Sequence, residues 1–206
     1  MDKQIEKLIK LEEKRQAETL MLIPSENYAS YAVKSAQCSV LNNKYSEGYP
    51  GKRYYQGNKY IDEIENIAIE RAKKIFNVQY ANVQCYSGSP ANAAAIMALV
   101  SPGEKIMGLK LSGGGHLTHG HPKITFPGKF FESVQYDVNE DGLIDYDEVE
   151  RLAILEKPKL MVIGTTAYPR ILDFKRFSEI AKKAGALVLA DISHIAGLVV
   201  GGVHPS

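Results

Sequence analysis

Between residues 105 and 190, short apolar runs alternate with amphipathic stretches, and this rhythm restricts the chain to few architectures. The runs at 105–109, 130–136, 160–164 and 187–190 are too short for helices and rich in Ile, Val, Leu and Tyr, so they read as strands. Residues 81–86 read as a further strand ahead of them. Helical patterns cover 90–100, 146–155 and 175–184. Strands alternating with helices predict an α/β fold, a mostly parallel sheet flanked by helices with right-handed crossovers.

Upstream, residues 2–20 read as an amphipathic helix with Ile5, Leu8, Ile9 and Leu11 on one face. A lone helix of this length is marginal in water, so it needs a surface to pack on. Ile23-Pro24 breaks it, and residues 30–42 resume a helix. Residues 43–58 form a Gly-, Tyr- and Lys-rich loop, and 59–76 a helix with Ile61, Ile64, Ile67, Ile69 and Ile75. The expected organisation is an N-terminal helical arm, 1–22, followed by one α/β domain, 23–206.

Charge excludes several partners. Lys and Arg number 25 against 24 Asp and Glu, a net charge of +1, so nothing draws the chain to nucleic acid or an anionic membrane. No apolar run approaches the roughly 18 residues of a membrane span. The charged start shows no signal peptide. Cys38 and Cys85 form no C-x-x-C pair and read as buried thiols of a reducing cytoplasm.

The last apolar strand ends on Asp191, with His194 one helical turn further on. In open α/β sheets ligands bind at the carboxyl ends of strands. A carboxylate there can hold the ring nitrogen of a heteroaromatic cofactor protonated, as pyridoxal 5'-phosphate requires. Ser87-Gly88-Ser89-Pro90 follows the 81–86 run and opens an Ala-rich helix. Gly88 permits a tight turn, the helix N-terminus favours an anion, and Pro90 fits the first helical turn. An ordinary Ser N-cap explains this stretch when it stands alone. Set against Asp191, it reads better as a phosphate grip.

Two motifs suggest metals. In Gly113-Gly114-Gly115-His116-Leu117-Thr118-His119-Gly120-His121, the His spacing matches no common zinc arrangement and lacks Cys or acidic ligands. A His after glycines reads better as a ring stacked on a flat ligand, so no metal is expected. Residues 137–148 fit the EF-hand calcium loop, with Gly142 at its sixth position and Glu148 at its twelfth. The run before it is strand-like and no second copy exists. A strand-to-helix connection with Asp145 as N-cap and Glu148 at N3 is the better reading.

The loop holding Tyr45, Glu47, Arg53 and Tyr55 is dense in groups able to handle protons or position an amino acid. Together with Leu22–Asn27, Ser87–Ala93, Gly114–Gly120, Gly142–Tyr146, Ala167–Arg170 and Asp191–Gly202, it resembles serine hydroxymethyltransferase, a fold type I pyridoxal phosphate enzyme. The resemblance runs from about residue 10 to Ser206.

That resemblance implies a pyridoxal phosphate cofactor, tetrahydrofolate as co-substrate, serine and glycine as substrates, and a cytoplasmic homodimer or tetramer. Ser87, Gly88 and Ser89 correspond to the phosphate cup, His116 to the stacked ring and Asp191 to the pyridine-nitrogen partner. Thr166, where the family usually has Ser, and His194 correspond to contacts with the phenolic oxygen. Ser25, Tyr45, Glu47 and Tyr55 correspond to the substrate side, the last three reaching across a dimer, with Glu47 handling a proton. Leu111, Gly115, His116 and Leu117 correspond to the folate region. Ser193 stands where Ala is common.

The Schiff-base Lys and a later substrate-binding Arg have no counterpart before Ser206. The expectation is therefore the front part of such an enzyme, a truncated large domain inactive alone. Two alternatives stay open: a threonine-aldolase-like relative, and a fragment that only binds or dimerises.

Overall fold

The computed structural model describes residues 1–23 and 25–206. Pro24, the expected break after the first helix, lies outside the described residues. Two compact units separate at residue 39, Met1–Ser39 and Val40–Ser206. The first holds α1 (Lys3–Glu18) and α2 (Tyr31–Gln37). Asp2 caps α1 by accepting from the Gln4 and Ile5 amides, and Ser30 caps α2 through the Val33 amide.

The second unit opens with a short turn of 3-10 helix at Val40–Asn43. A two-residue hairpin follows, β1 (Gly48–Tyr49) with β2 (Lys52–Arg53), then the helix α3 (Lys59–Phe76). The anticipated 30–42 helix is thus two pieces, and the anticipated loop contains a hairpin.

The sheet comprises β3 (Lys105–Leu109), β4 (Glu132–Tyr136), β5 (Leu160–Gly164) and β6 (Leu187–Asp191). All neighbours are parallel, in the order β4-β3-β5-β6. Its helices are α4 (Gly88–Leu99), α5 (Phe126–Phe130), α6 (Tyr146–Glu156) and α7 (Phe174–Ala184), with α8 (Ala196–Val200) after the last strand.

Successive side chains of a strand point to opposite faces, so the almost wholly apolar β3 and β5 are buried on both faces at the centre of the sheet. Ile106, Leu160 and Val162 point to one face and pack with Ile96 of α4, with Val100 just after it and with Phe131 after α5. Met107, Leu109, Met161 and Ile163 point to the other, against Val149 and Ala153 of α6 and Phe177 and Ile180 of α7. The chain moves outward from β3 to β4, then reverses across β3 to β5 and β6. A single crossover hand then requires α5 on the opposite face from α6 and α7, as found. The reversal places a topological switch point between β3 and β5, where ligands bind such sheets.

Three further expectations change. Residues 81–86 form no strand, because strand identity needs a hydrogen-bonded neighbour and none of the described strands supplies one. Residues 130–136 divide, Phe130 ending α5 and β4 starting at Glu132. The Phe126-Pro127-Gly128 stretch looks like a helix breaker, yet Pro sits in the first turn, where it has no amide to lose. Cys38 and Cys85 are exposed rather than buried, at the end of α2 and in the unpaired 81–86 stretch respectively.

The calcium-like stretch is a strand-to-helix connection. Asp145 caps α6 through the Asp147 and Glu148 amides, Asn139 accepts from Asp141 and Leu143, and Glu148 pairs with Arg151.

Candidate active site

Parallel strands deliver their carboxyl ends to one edge, and three of them deliver the site. The segment after β3 carries His116, Thr165 and Thr166 follow β5, and Asp191 ends β6 beside Gly164. With the first turn of α4 they enclose a cavity of about 170 Å³ lined by Ser87, Gly88, Ser89, Asn92, His116, His119, Thr165, Thr166, Asp191, Ser193 and His194. Every expected cofactor residue is in that lining. No lysine is.

At one end Ser87 occupies the N-cap of α4 without making a capping bond. Its hydroxyl is not used by the helix, and the first-turn amides of α4 have no intrahelical partner. A group with negative charge suits that position. Gly88 has an ordinary helical backbone, so the tight-turn argument for it does not apply. A Cβ there would meet nothing closer than the Ser193 hydroxyl at 3.7 Å.

At the other end Asp191 is surrounded by donors. Its Oδ2 accepts from His119 Nε2 and Asn92 Nδ2, both at 2.8 Å. Its Oδ1 accepts from the Ser193 amide at 3.1 Å and the Ser193 hydroxyl at 2.5 Å. Burial alone would raise this carboxyl. The bonds from His119, Asn92 and Ser193 outweigh it and hold the group well below the usual carboxylate range. The charge is therefore fixed at neutral pH.

His119 and Asn92 line the cavity and bond Asp191, a place that sequence reasoning did not give them. His119 is 1% exposed, and its Nδ1 is buried with no partner among the described residues. Because ionised Asp191 can only accept, His119 Nε2 carries the proton between them. Asn92 also donates to Thr118 Oγ1 at 2.8 Å, linking α4, the Leu117–His119 turn and β6. The one available signal was the second His of His116-Leu117-Thr118-His119.

Two strand glycines admit this pair. A Cβ on Gly108 would run into the His119 carbonyl, and one on Gly164 into the Asp191 backbone, both far inside van der Waals contact. Neither has a left-handed φ, so the constraint is space, not conformation.

His116 caps the turn that follows it, its Nδ1 meeting the Thr118 hydroxyl at 2.7 Å and amide at 3.1 Å. Burial first, then neighbouring His119, pushes its pKa below the ordinary value against the pull of Asp191. A neutral ring therefore faces the cavity. The Thr166 hydroxyl donates to the Gly115 carbonyl at 2.9 Å, leaving its lone pairs for a ligand.

The remaining expected residues lie elsewhere. Tyr45 and Glu47 line a separate cavity of about 630 Å³ with Arg53, Ile61 and Ile64, and Tyr55 packs on Tyr45 with ring centroids 5.5 Å apart. Leu111 is exposed, Gly115 is buried and Leu117 is half-buried, and none of them lines the small cavity. Ser25 is exposed in the Met1–Ser39 unit. No group of three or more His, Cys, Asp or Glu able to hold a metal occurs among the described residues. No helix among them is long and apolar enough to cross a membrane.

The parallel sheet thus sets a helix N-terminus, which favours negative charge, and an ionised carboxylate in the lining of one small cavity at its switch point. The serine hydroxymethyltransferase family model matches residues 1–206, and the chain belongs to that family. It is 58% identical over 205 residues to serine hydroxymethyltransferase of Mycoplasma mobile, covering all of this chain and 49% of the relative. The corresponding figure for Mycoplasmopsis agalactiae is 60% over 205 residues, with 48% of the relative covered. For Acidothermus cellulolyticus it is 58% over 206 residues, again with 48% covered. The chain thus spans about half the length of the curated relatives it matches.

Proposed function

We propose that the protein containing this chain transfers a one-carbon unit between serine and glycine, with pyridoxal 5'-phosphate as cofactor and tetrahydrofolate as co-substrate. The observation that carries this reading is the fixed charge of Asp191 facing the α4 N-terminus across a small cavity, in a chain of this family.

The residues present fit the cofactor. Ser87, Gly88 and Ser89 would hold its phosphate, the neutral His116 ring would lie on its face, and Thr166 and His194 would reach its phenolic oxygen. Asp191 would hold the pyridine nitrogen. Its four lone-pair positions already carry four donors, so one donor must yield, and the Ser193 hydroxyl can rotate away at the smallest cost. The bound cofactor supplies an electron sink.

The chain's own residues supply the rest. Asp191 keeps a proton on the ring nitrogen, and His119 and Asn92 hold Asp191 in place. Glu47 moves a proton on the substrate side. Ser25, Tyr45 and Tyr55 orient the amino acid, with Tyr45, Glu47 and Tyr55 acting in the site of a homodimer partner. Tyr45 and Glu47 line a separate cavity and Tyr55 packs on Tyr45, which supports that assignment. Leu111, Gly115, His116 and Leu117 form the folate-facing region. The cofactor-binding domain is 23–206, with 1–22 an arm, and the setting is the cytoplasm.

The test uses the full-length protein saturated with pyridoxal phosphate. Glycine should form from serine at a useful rate only when tetrahydrofolate is present. Rapid folate-independent threonine cleavage with no serine activity overturns the reading in favour of an aldolase.

A further inference from the structure

A second charged group of the Val40–Ser206 unit makes as many hydrogen bonds as Asp191 and lies outside the small cavity. Arg53, at the end of β2, has a side chain only 4% exposed. Its Nη1 donates to the carbonyl oxygens of Ser46 at 2.6 Å and Gly48 at 2.8 Å, the two residues flanking Glu47. Its Nε reaches Asp62 Oδ1 at 2.8 Å and its Nη2 reaches Glu65 Oε2 at 2.6 Å, both on α3.

Other bonds close the same frame. The Glu47 carbonyl accepts from the Tyr54 amide at 3.1 Å, and Asp62 Oδ2 accepts from the Gly51 amide at the hairpin turn at 2.9 Å. Gln84 Nε2 donates to the Gly48 carbonyl at 3.0 Å and to Glu65 Oε1 at 2.7 Å. The Glu47 side chain itself is left out of this frame and lines the larger cavity.

A planar guanidinium is the one side chain that can serve two carboxylates and two carbonyls at once in fixed directions. Lysine brings the same charge but no fork. A buried ion pair is weak grounds for a stabilising role, because the desolvation cost offsets the attraction. What the fork adds here is placement: it pins the backbone on both sides of Glu47 to a long helix.

We infer that Arg53 is a positioning residue for Glu47, clamping residues 46–48 to Asp62 and Glu65 so that the carboxylate is presented in one direction. The inference rests on the proton-handling role proposed for Glu47. It predicts that the effect of Arg53 on turnover passes through Glu47 and through nothing else.

The experiment is a double-mutant cycle in the full-length holoenzyme with Arg53→Lys and Glu47→Gln. Arg53→Lys should lower kcat by about thirtyfold in the wild-type background and by less than about threefold when Glu47 is already Gln. The cofactor absorbance should stay the same, since none of the residues proposed to hold the cofactor bonds to Arg53. An equal fold-loss in both backgrounds overturns the inference. A Glu47→Gln variant with near wild-type turnover removes the role of Glu47 itself, and the inference falls with it.

Hydrogen exchange on the cofactor-free full-length protein gives a readout independent of turnover. The Tyr54 amide should exchange about tenfold faster in Arg53→Lys while β5 amides keep their rates. Unchanged Tyr54 exchange overturns the inference. Glu65→Gln, which removes one arm of the fork, serves if Arg53→Lys does not fold. It should give a smaller loss of kcat that also vanishes in the Glu47→Gln background, and a loss that persists there overturns the inference.

Discussion

His119 Nε2 and Asp191 Oδ2 stand 2.8 Å apart, and the imidazole is almost wholly withdrawn from solvent. The pair joins the turn after β3 to the end of β6 across the intervening β5. A hydrogen bond to a charged group contributes about 1.5–3 kcal/mol. His119→Asn should therefore weaken pyridoxal phosphate binding to the cofactor-free full-length protein by about tenfold or more. Titration followed by absorbance measures this, and an unchanged affinity would show that the ring only fills space.

Ser193 should act in the opposite direction. Its hydroxyl occupies a position on Asp191 that a protonated ring nitrogen would need. Ser193→Ala is expected to raise cofactor affinity by about threefold and to lower the stability of the cofactor-free protein slightly, since one hydrogen bond is lost. Weaker binding in the same titration would assign Ser193 to the grip itself.

Asp191 links stability to acidity. Its folded pKa lies below its unfolded value of about 3.9, so its contribution is complete above that value and is lost as pH falls toward the folded one. The stability gap between wild type and Asp191→Asn, measured by urea unfolding, should shrink as pH drops below about 4. A gap that stays constant would mean the charge is not what the fold holds. In the full-length enzyme the same substitution should lower turnover by about a hundredfold, equivalent to about 2.7 kcal/mol of barrier. Turnover within threefold of wild type would leave Asp191 a structural residue only.

His116 should remain neutral at pH 7. Burial and His119 both lower its pKa, so its ring resonances are expected to titrate below the ordinary imidazole value of about 6.5. Nuclear magnetic resonance of the cofactor-free protein reads this directly. A midpoint above 7 would mean that Asp191 governs the ring more strongly than burial does.

What the sequence disclosed was set by periodicity and by strand ends. The runs at 105–109, 160–164 and 187–190 are strands within a residue because short continuous apolar runs of this length are what a parallel sheet between helices leaves in the sequence. Ser87, His116 and Asp191 were legible for a related reason, as each follows a strand or opens a helix at one sheet edge. Asn92 was not, because it sits one turn into an Ala-rich helix and acquires meaning only when β6 arrives beside it. The 81–86 segment misled because Val83 and Tyr86 have strand composition while pairing is decided elsewhere in the chain. Arg53 gave no local sign of its partners on α3.

The glycines at 108 and 164 carry a consequence for how such a protein can vary over generations. Neither bears a side chain that could touch a ligand, yet each is the empty space that lets His119 or Asp191 come close. A saturation library scored by growth should find these two codons nearly as intolerant as those of the charged pair. Surface neighbours such as Glu140 should drift freely. Descent at this site is thus constrained by atoms that are missing as much as by those that are present, and a methyl gained in either strand would have to be matched by a rearranged turn before the lineage could keep it.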